Sequence, residues 1–142
     1  MVVDDHLLLR VLLGNEPDDL RRPEEPIFTT GLWYHRMCRA LLDPSIVGAI
    51  SRGLGSAPRE VAALAVGATV SLPDEIGLIS LRDLAGPMAQ ILVRGAHLNL
   101  LSLEALAAAH QLGARLVLAA DDLNPLLLAA CRAFDVEVAV LS

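Results

Sequence analysis

Two pairs of adjacent aspartates lie where strand-like segments give way to helix-like ones. Asp4 and Asp5 follow a short β-branched run at the start of the chain, and Asp121 and Asp122 follow the apolar run RLVLA. In an open parallel sheet, ligands bind just beyond the carboxyl ends of the strands. Carboxylates gathered there resist ionising together unless a cation lies between them, and oxygen ligands select Mg²⁺ or Mn²⁺. The pattern favours a metal site that could polarise a phosphodiester, as in metal-dependent nucleases.

The same acids have a purely structural role open to them. An aspartate at a strand-to-helix turn caps the helix, and acids in the first turn suit the helix dipole. Glu104 follows Ser102, the predicted cap of another helix, so capping or metal binding can explain it too. It is the only charged residue between His97 and His110, and its helix start should face the same sheet edge as Asp121. Capping and metal binding remain alternatives for all these acids.

Segments of strand-like and helix-like pattern predict a three-layer α/β/α domain around a central, mainly parallel sheet. The final segments, strand RLVLA, helix PLLLAACRAF and strand VEVAVL, predict a right-handed β-α-β crossover. Strands are also predicted at 2–4 and 27–29, and LPDEIGLIS is left without an assigned element. Helices are predicted at 6–13, 31–42, 44–52, 57–70, 81–95 and 103–112, with a kink or break at Gly86-Pro87.

Composition limits the class of protein. The 142 residues are expected to form a single domain, 1–142, but 54% are hydrophobic and only 3% aromatic. So much apolar surface is hard to bury in a small domain, which favours a homodimer or a partner interface. The net charge of −6 argues against broad, salt-driven binding of nucleic acid. No apolar run is long enough to cross a bilayer, so we expect a soluble, cytoplasmic protein with no membrane contact.

Three stretches together resemble a known family. VVDDHLLLRVLL is similar to an apolar strand that ends in a catalytic aspartate, and IFTTGLWYHRMCRAL to a second strand with its helix. SLEALAAAHQLGARLVLAADDLNPLLLAACRAFDVEVAVL looks like a closing segment with an acid before an alanine-rich helix and a strand that ends in an aspartate. The family is the PIN domain, especially the VapC-type toxins of prokaryotic toxin-antitoxin pairs. The resemblance covers about half of the chain.

The resemblance implies a ribonuclease, a hydrolase that depends on Mg²⁺ or Mn²⁺. Asp4, Glu104 and Asp121 would be its catalytic, metal-binding acids, with Asp122 as an alternative ligand beside Asp121. It further implies an RNA substrate, a homodimer and an antitoxin protein that holds the enzyme inactive.

Two departures from the family pattern point to a different function. The family places a glutamate in the helix after its second strand, where this chain has His35 and Arg36, and a small hydroxyl residue where it has His6. His6 and His35 could bind Mn²⁺ or move a proton, or could simply pack, and Asp5 and Arg36 could support the site. The alternative function is a catalytically inactive PIN-like module for dimerisation or interaction.

Overall fold

The computed structural model describes the backbone of residues 1–142 and every side chain except that of Asp122. The strands are β1 (Val2–Val3), β2 (Ile27–Thr30), β3 (Ile76–Ile79), β4 (Leu116–Ala119) and β5 (Val138–Leu141). The helices are α1 (Asp5–Leu12), α2 (Gly31–Leu42), α3 (Ala49–Ser56), α4 (Arg59–Gly67), α5 (Leu81–Val93), α6 (Leu100–Leu112) and α7 (Pro125–Ala133). A 3-10 turn, Ala120–Asp122, follows β4.

The five strands form one parallel sheet in the order β3-β2-β1-β4-β5. The two-residue strand β1 lies at its centre, with Val2 opposite Phe28 on one side and Leu116 on the other. Because all strands run the same way, β1, β2 and β4 end along one side of the sheet, which we call the carboxyl edge. The opposite side, where the strands begin, is the amino edge.

Helices cover both faces of the sheet because successive residues of each strand face opposite ways. Val2, Leu116 and Leu118 belong to one buried cluster, which also contains apolar side chains of α5, α6 and α7. Val3 and Val117 belong to the other cluster, with side chains of α1, α2, α3 and α4. The predicted three-layer α/β/α fold is confirmed.

Helix α6 packs more deeply than an ordinary surface helix. Its residues 102–109 are all buried, and four of them are alanine. Alanine side chains let neighbouring backbones approach closely, and α6 packs against α5, α7 and the sheet. The same burial encloses Glu104, the one charged residue in this stretch.

The structure differs from the predicted elements in four places. The segment left unassigned contains β3, and α5 runs through Pro87 without a break because Leu84, Met88 and Ile91 anchor it in the core. Helix α3 begins only at Ala49 and includes both glycines expected to stop it. Asp43 accepts hydrogen bonds from the backbone and hydroxyl of Ser45, which makes a local turn instead of a helix start. Asn99 caps α6, and Ser102 lies inside that helix.

A helix that crosses a membrane has to be long and predominantly apolar. Among the described residues, no helix is both long enough and apolar enough to cross a membrane.

Candidate functional site at the carboxyl edge

Asp4 joins two strands at the carboxyl edge. It follows β1 directly and is only 2% exposed. Its Oδ1 accepts a hydrogen bond of 2.9 Å from the backbone N–H of Leu7, which caps α1. Its Oδ2 accepts a second bond of 2.6 Å from the backbone N–H of Ala119, at the end of β4. The capping role is therefore confirmed for Asp4, and the same carboxylate also holds β4 beside β1.

Burial changes the acidity of Asp4. Loss of hydration raises the pKa of its carboxyl from 3.8 to about 6, and the negative charge of Asp5 acts in the same direction. The two backbone N–H bonds, from Leu7 and Ala119, and the nearby His6 lower that pKa and only partly offset the burial. Shifted pKa values of buried carboxyls occur at functional sites and at structural ones, so this shift is read together with the geometry around Asp4.

Asp5 forms an ion pair with Arg36 of α2. The Asp5 side chain has no exposed surface, and its two oxygens accept hydrogen bonds from Arg36 Nε and Nη2, each at 2.5 Å. A guanidinium presents two parallel donors that match a carboxylate, so the pair fixes α2 against α1. Arg36, which with His35 lies near the position where the family pattern has a glutamate, thus balances the negative charge of Asp5 at this edge.

Glu104 faces the start of α2. Its side chain is fully buried, and Oε2 accepts a hydrogen bond of 2.9 Å from the backbone N–H of Leu32, in the first turn of α2. Oε1 has no hydrogen-bond partner among the described atoms. Asn99 caps the helix that carries Glu104, so Glu104 supports a different helix from its own.

A small polar cavity of about 80 Å³ opens beside Asp4. Asn99 and Ser102 of the α6 start and Asn124 of the α7 start contribute polar side chains to it, together with Arg36. Asn124 Nδ2 donates a hydrogen bond of 3.0 Å to Ser102 Oγ, which joins the two helix starts. The remaining wall is apolar: Trp33, Leu101, Leu118 and Leu127.

Leu101 and Ser102 are the α6 residues that line this cavity, and Glu104 is not among its lining residues. Sequence reasoning missed Asn99, Ser102 and Asn124 as site residues because their residue types suit helix starts. The available signal for Ser102 and Asn124 was their position at predicted helix starts that face the carboxyl edge, whereas Asn99 lies outside the predicted helix 103–112.

Two further cavities lie along the same edge. One, of about 240 Å³, is lined by Asp5, His6, Arg36 and the start of α3. The other, of about 270 Å³, is lined by His6, Arg10, Asp121 and the end of β5. Arg36 lines the first two cavities and His6 lines the last two, so the three lie next to one another as a series.

The predicted site residues are therefore distributed over this series. Asp4 lines the 80 Å³ cavity, whereas the exposed Asp121 lines the 270 Å³ cavity with His6. Glu104 and the exposed His35 line none of the three. The side chain of Asp122 lies outside the described residues.

The buried carboxylates of this edge accept hydrogen bonds from the protein itself. Both oxygens of Asp4 and both oxygens of Asp5 already accept hydrogen bonds, and Glu104 commits one oxygen to α2. Within the described side chains, no group of three or more His, Cys, Asp or Glu residues is arranged to hold a metal ion. A Mg²⁺ or Mn²⁺ centre built from Asp4, Glu104 and Asp121 stays a prediction.

Comparison with known proteins does not assign the chain to a family. No model of a known family matches the chain, and no curated protein is similar enough to count as a relative. Inferences about function therefore rest on the geometry of the carboxyl edge.

Proposed function

We propose that the chain is a non-catalytic module of PIN-like architecture that works by binding a partner. The observation that carries this proposal is the pair of the buried Asp5 with the half-buried Arg36, in which a guanidinium donates to both carboxylate oxygens. The guanidinium of Arg36 therefore lies at the same edge of the sheet at which the PIN resemblance implies a metal ion.

An arginine in this place weakens the attraction for a divalent ion because it balances the negative charge of Asp5. A carboxylate already paired with a guanidinium attracts a second cation less strongly than an unpaired carboxylate does. Asp4 meanwhile is stabilised by backbone N–H donors that hold it without a cation.

The surface supports a binding role. Val47, Val70 and Val93 are each more than 80% exposed, and the leucines Leu42, Leu64 and Leu126 are more than 60% exposed. These side chains supply apolar surface that a bound partner would bury.

Titration with Mn²⁺ tests the proposal. We expect isothermal calorimetry of the unmodified protein to show no heat that depends on Asp4, and melting curves in Mn²⁺ and in a chelator to coincide. Arg36→Glu should gain binding of Mn²⁺, because it replaces the internal cation with a carboxylate beside Asp4 and Asp5. Arg39→Glu is the matched control: the same change on the exposed side of α2 should leave Mn²⁺ binding absent.

Two results would contradict the proposal. One is binding of Mn²⁺ by the unmodified protein that disappears in Asp4→Asn. The other is an Arg36→Glu variant that folds, as judged by circular dichroism, but binds no more Mn²⁺ than Arg39→Glu does.

A metal-dependent endoribonuclease, the toxin of a toxin-antitoxin pair, is the second candidate function. The observation that favours it is the position of Asp4, a buried carboxyl with a pKa of about 6 that borders a polar cavity. An acid that titrates near neutral pH is suited to proton transfer. Cleavage of single-stranded RNA in Mg²⁺ or Mn²⁺, lost in Asp4→Asn, would establish this function, and the antitoxin would then be the expected partner.

A further inference from the structure

A cavity of about 590 Å³ opens at the amino edge of the sheet. Ile27 and Ile76, the first residues of β2 and β3, form part of its wall, and Val11 and Leu12 at the end of α1 form another part. The cavity is larger than each of the three at the carboxyl edge and shares no lining residue with them. It is therefore a separate place at which the protein can bind a ligand.

Small residues keep the space beside α4 open. Ala63 and Gly67 lie one turn apart on that helix, and both line the cavity. A Cβ atom added at Gly67 would meet no atom of the surrounding elements within 4 Å. Leu64 also lines the cavity, and 71% of this residue is exposed. An apolar ligand would therefore find free volume beside α4 and an apolar side chain that it can cover.

The volume and the lining suit a small organic molecule. Protein sites for drug-sized ligands have volumes of roughly 300–1,000 Å³ and walls that are mainly apolar, with a few polar groups that fix the orientation of the ligand. In this cavity, the residues with polar side chains are Arg21, Ser71 and Glu75. The charges of Arg21 and Glu75 decide which ligand fits.

The negative charge of Glu75 is not balanced, whereas the positive charge of Arg21 is. Arg21 Nε donates a hydrogen bond of 2.7 Å to Glu16 Oε1, which makes an ion pair. Glu75 and its neighbour Asp74 are exposed, and neither forms an ion pair among the described side chains. The lining therefore offers a carboxylate that a positively charged group can approach.

Other charged residues near the cavity do not reverse this balance. Arg22, in the same loop as Arg21, pairs with Glu137, and Arg59 and Glu60 at the start of α4 have opposite charges. Arg10 of α1 lines the 270 Å³ cavity instead. Three further acids of the loop are exposed and form no ion pair among the described side chains: Asp18, Asp19 and Glu24. An excess of negative charge at a cleft raises the local concentration of cations.

We propose that the cavity at the amino edge binds a small organic cation with an apolar body. Its ammonium group would lie beside Glu75, and its apolar body would lie between α1, α4 and the starts of β2 and β3. The apolar wall favours a ligand that gains free energy by leaving water, and the unbalanced carboxylate favours a positive head group over a negative one. The site shares no residue with the carboxyl edge, so this inference goes beyond the proposed function and does not depend on it.

Three probes with the same apolar body and different head groups test the ligand class: phenylbutylamine, phenylbutanol and phenylbutyrate. We expect the amine to shift the backbone amide NMR signals of Leu64, Gly67 and Ile76 in a saturable way. A ligand of this size predicts a dissociation constant on the order of a millimolar or lower. At low ionic strength the carboxylate should bind about fivefold more weakly than the amine, since exposed charges contribute modestly.

A substitution at Gly67 tests the location of the site. Gly67→Phe places a ring in the cavity and should weaken binding of phenylbutylamine about tenfold or more. Gly86→Phe, the same change at an exposed glycine of α5 that does not line the cavity, is the matched control and should leave the affinity unchanged. An added Cβ meets no surrounding atom within 4 Å at either glycine, so both variants should fold. Circular dichroism and melting curves would verify this.

A substitution at Glu75 tests the role of charge. In Glu75→Gln the amine should lose its advantage over the neutral alcohol, because the carboxylate that favours the ammonium group is gone. Asp83→Asn removes the charge of an exposed carboxylate that does not line the cavity, and the amine should keep its advantage there.

Several results would overturn the inference: no saturable shift with the amine, equal affinities for the amine and the carboxylate, or binding that survives Gly67→Phe. A dimer in sedimentation velocity that dissociates in Gly67→Phe would assign the cavity to a second copy of the chain and would overturn it equally. None of these measurements involves Mn²⁺ or the residues of the carboxyl edge. Failure of this site is therefore distinguishable from failure of the proposed non-catalytic function.

Discussion

Glu25 at the amino edge of the sheet and Asp4 at its carboxyl edge differ in what surrounds their carboxylates. At the amino edge, the side chain of Arg115 is 3% exposed, and its Nε lies 2.9 and 3.0 Å from the two oxygens of Glu25. Its Nη2 donates to Glu25 Oε2 at 2.7 Å and to the carbonyl of Leu20 at 2.6 Å. The hydrogen bonds from Arg115 hold the pKa of Glu25 below its usual value. At the carboxyl edge, burial instead raises the pKa of Asp4 to about 6.

This difference distinguishes a structural charge from a candidate functional one. Glu25 has a guanidinium directly against it, so its charged form is favoured in the folded protein. Asp4 accepts only backbone N–H bonds, and Glu104 keeps one buried oxygen without a partner among the described atoms. Asp5 at the same edge is paired with Arg36, so Asp4 and Glu104 are the carboxyl-edge acids that are candidates for a functional role.

Removing the cation of the amino edge should produce the largest effect. Arg115→Met leaves Glu25 without its guanidinium and the carbonyl of Leu20 without its donor, and breaking a buried pair typically lowers stability by about 3–5 kcal/mol. Urea denaturation would measure this loss. Arg22→Met, which removes an exposed pair with Glu137, is the control and should change the midpoint little. Equal losses of stability in the two variants would show that the pair of Arg115 with Glu25 stabilises the fold no more than the exposed pair does.

The acidity of Asp4 should appear as a pH dependence of stability. With a pKa of 3.8 in the unfolded chain and about 6 in the folded protein, folding takes up a proton between these values. The stabilisation is complete below pH 3.8 and is lost as pH rises through 6, a change on the order of 3 kcal/mol. Chemical denaturation from pH 4 to 7 should show this decline in the unmodified protein relative to Asp4→Asn. Parallel curves for the two proteins would mean that Asp4 has an ordinary pKa.

The smallest effect is expected for Glu104→Gln. The amide oxygen can still accept from the N–H of Leu32, and the substitution removes a buried charge. Stability should therefore stay within about 1 kcal/mol of the original or rise slightly. Thermal melting would measure it, with Glu104→Ala as the comparison that removes the hydrogen bond and leaves a cavity. A loss of several kcal/mol in Glu104→Gln would mean that the charge itself holds the start of α2.

Much of the fold could be predicted from the sequence because local signals agreed with the tertiary structure. Gly113 ends α6 and Asn124 with Pro125 starts α7, as their conformational preferences require. Strand β3 escaped prediction because its four residues include a glycine and follow a charged turn. The sequence predicts a kink or break in α5 at Pro87, and the helix is continuous. Packing of the helix on both sides of Pro87 stabilises it more than the proline destabilises it.

The candidate site could be predicted only in part. Asp4 was placed at the end of β1 because it directly follows an apolar strand, and the structure puts it there. The direction in which the Glu104 side chain points depends on how α6 is rotated relative to α2. In the observed rotation, Ser102 lines the cavity and Glu104 accepts a hydrogen bond from α2. No spacing along one segment encodes the relation between two helices distant in the chain.

The sequence by itself determined the α/β class, most of the elements and the concentration of acids at the ends of strands, because these depend on local preferences and on the periodicity of apolar residues. Only the tertiary structure decided which charges meet. Arg36 pairs with Asp5, Arg115 pairs with Glu25, and Asp4 holds two strands together through backbone N–H groups. Electrostatic interactions in a protein interior depend on distances of a few ångströms and on burial, and both are set when separate segments pack against one another.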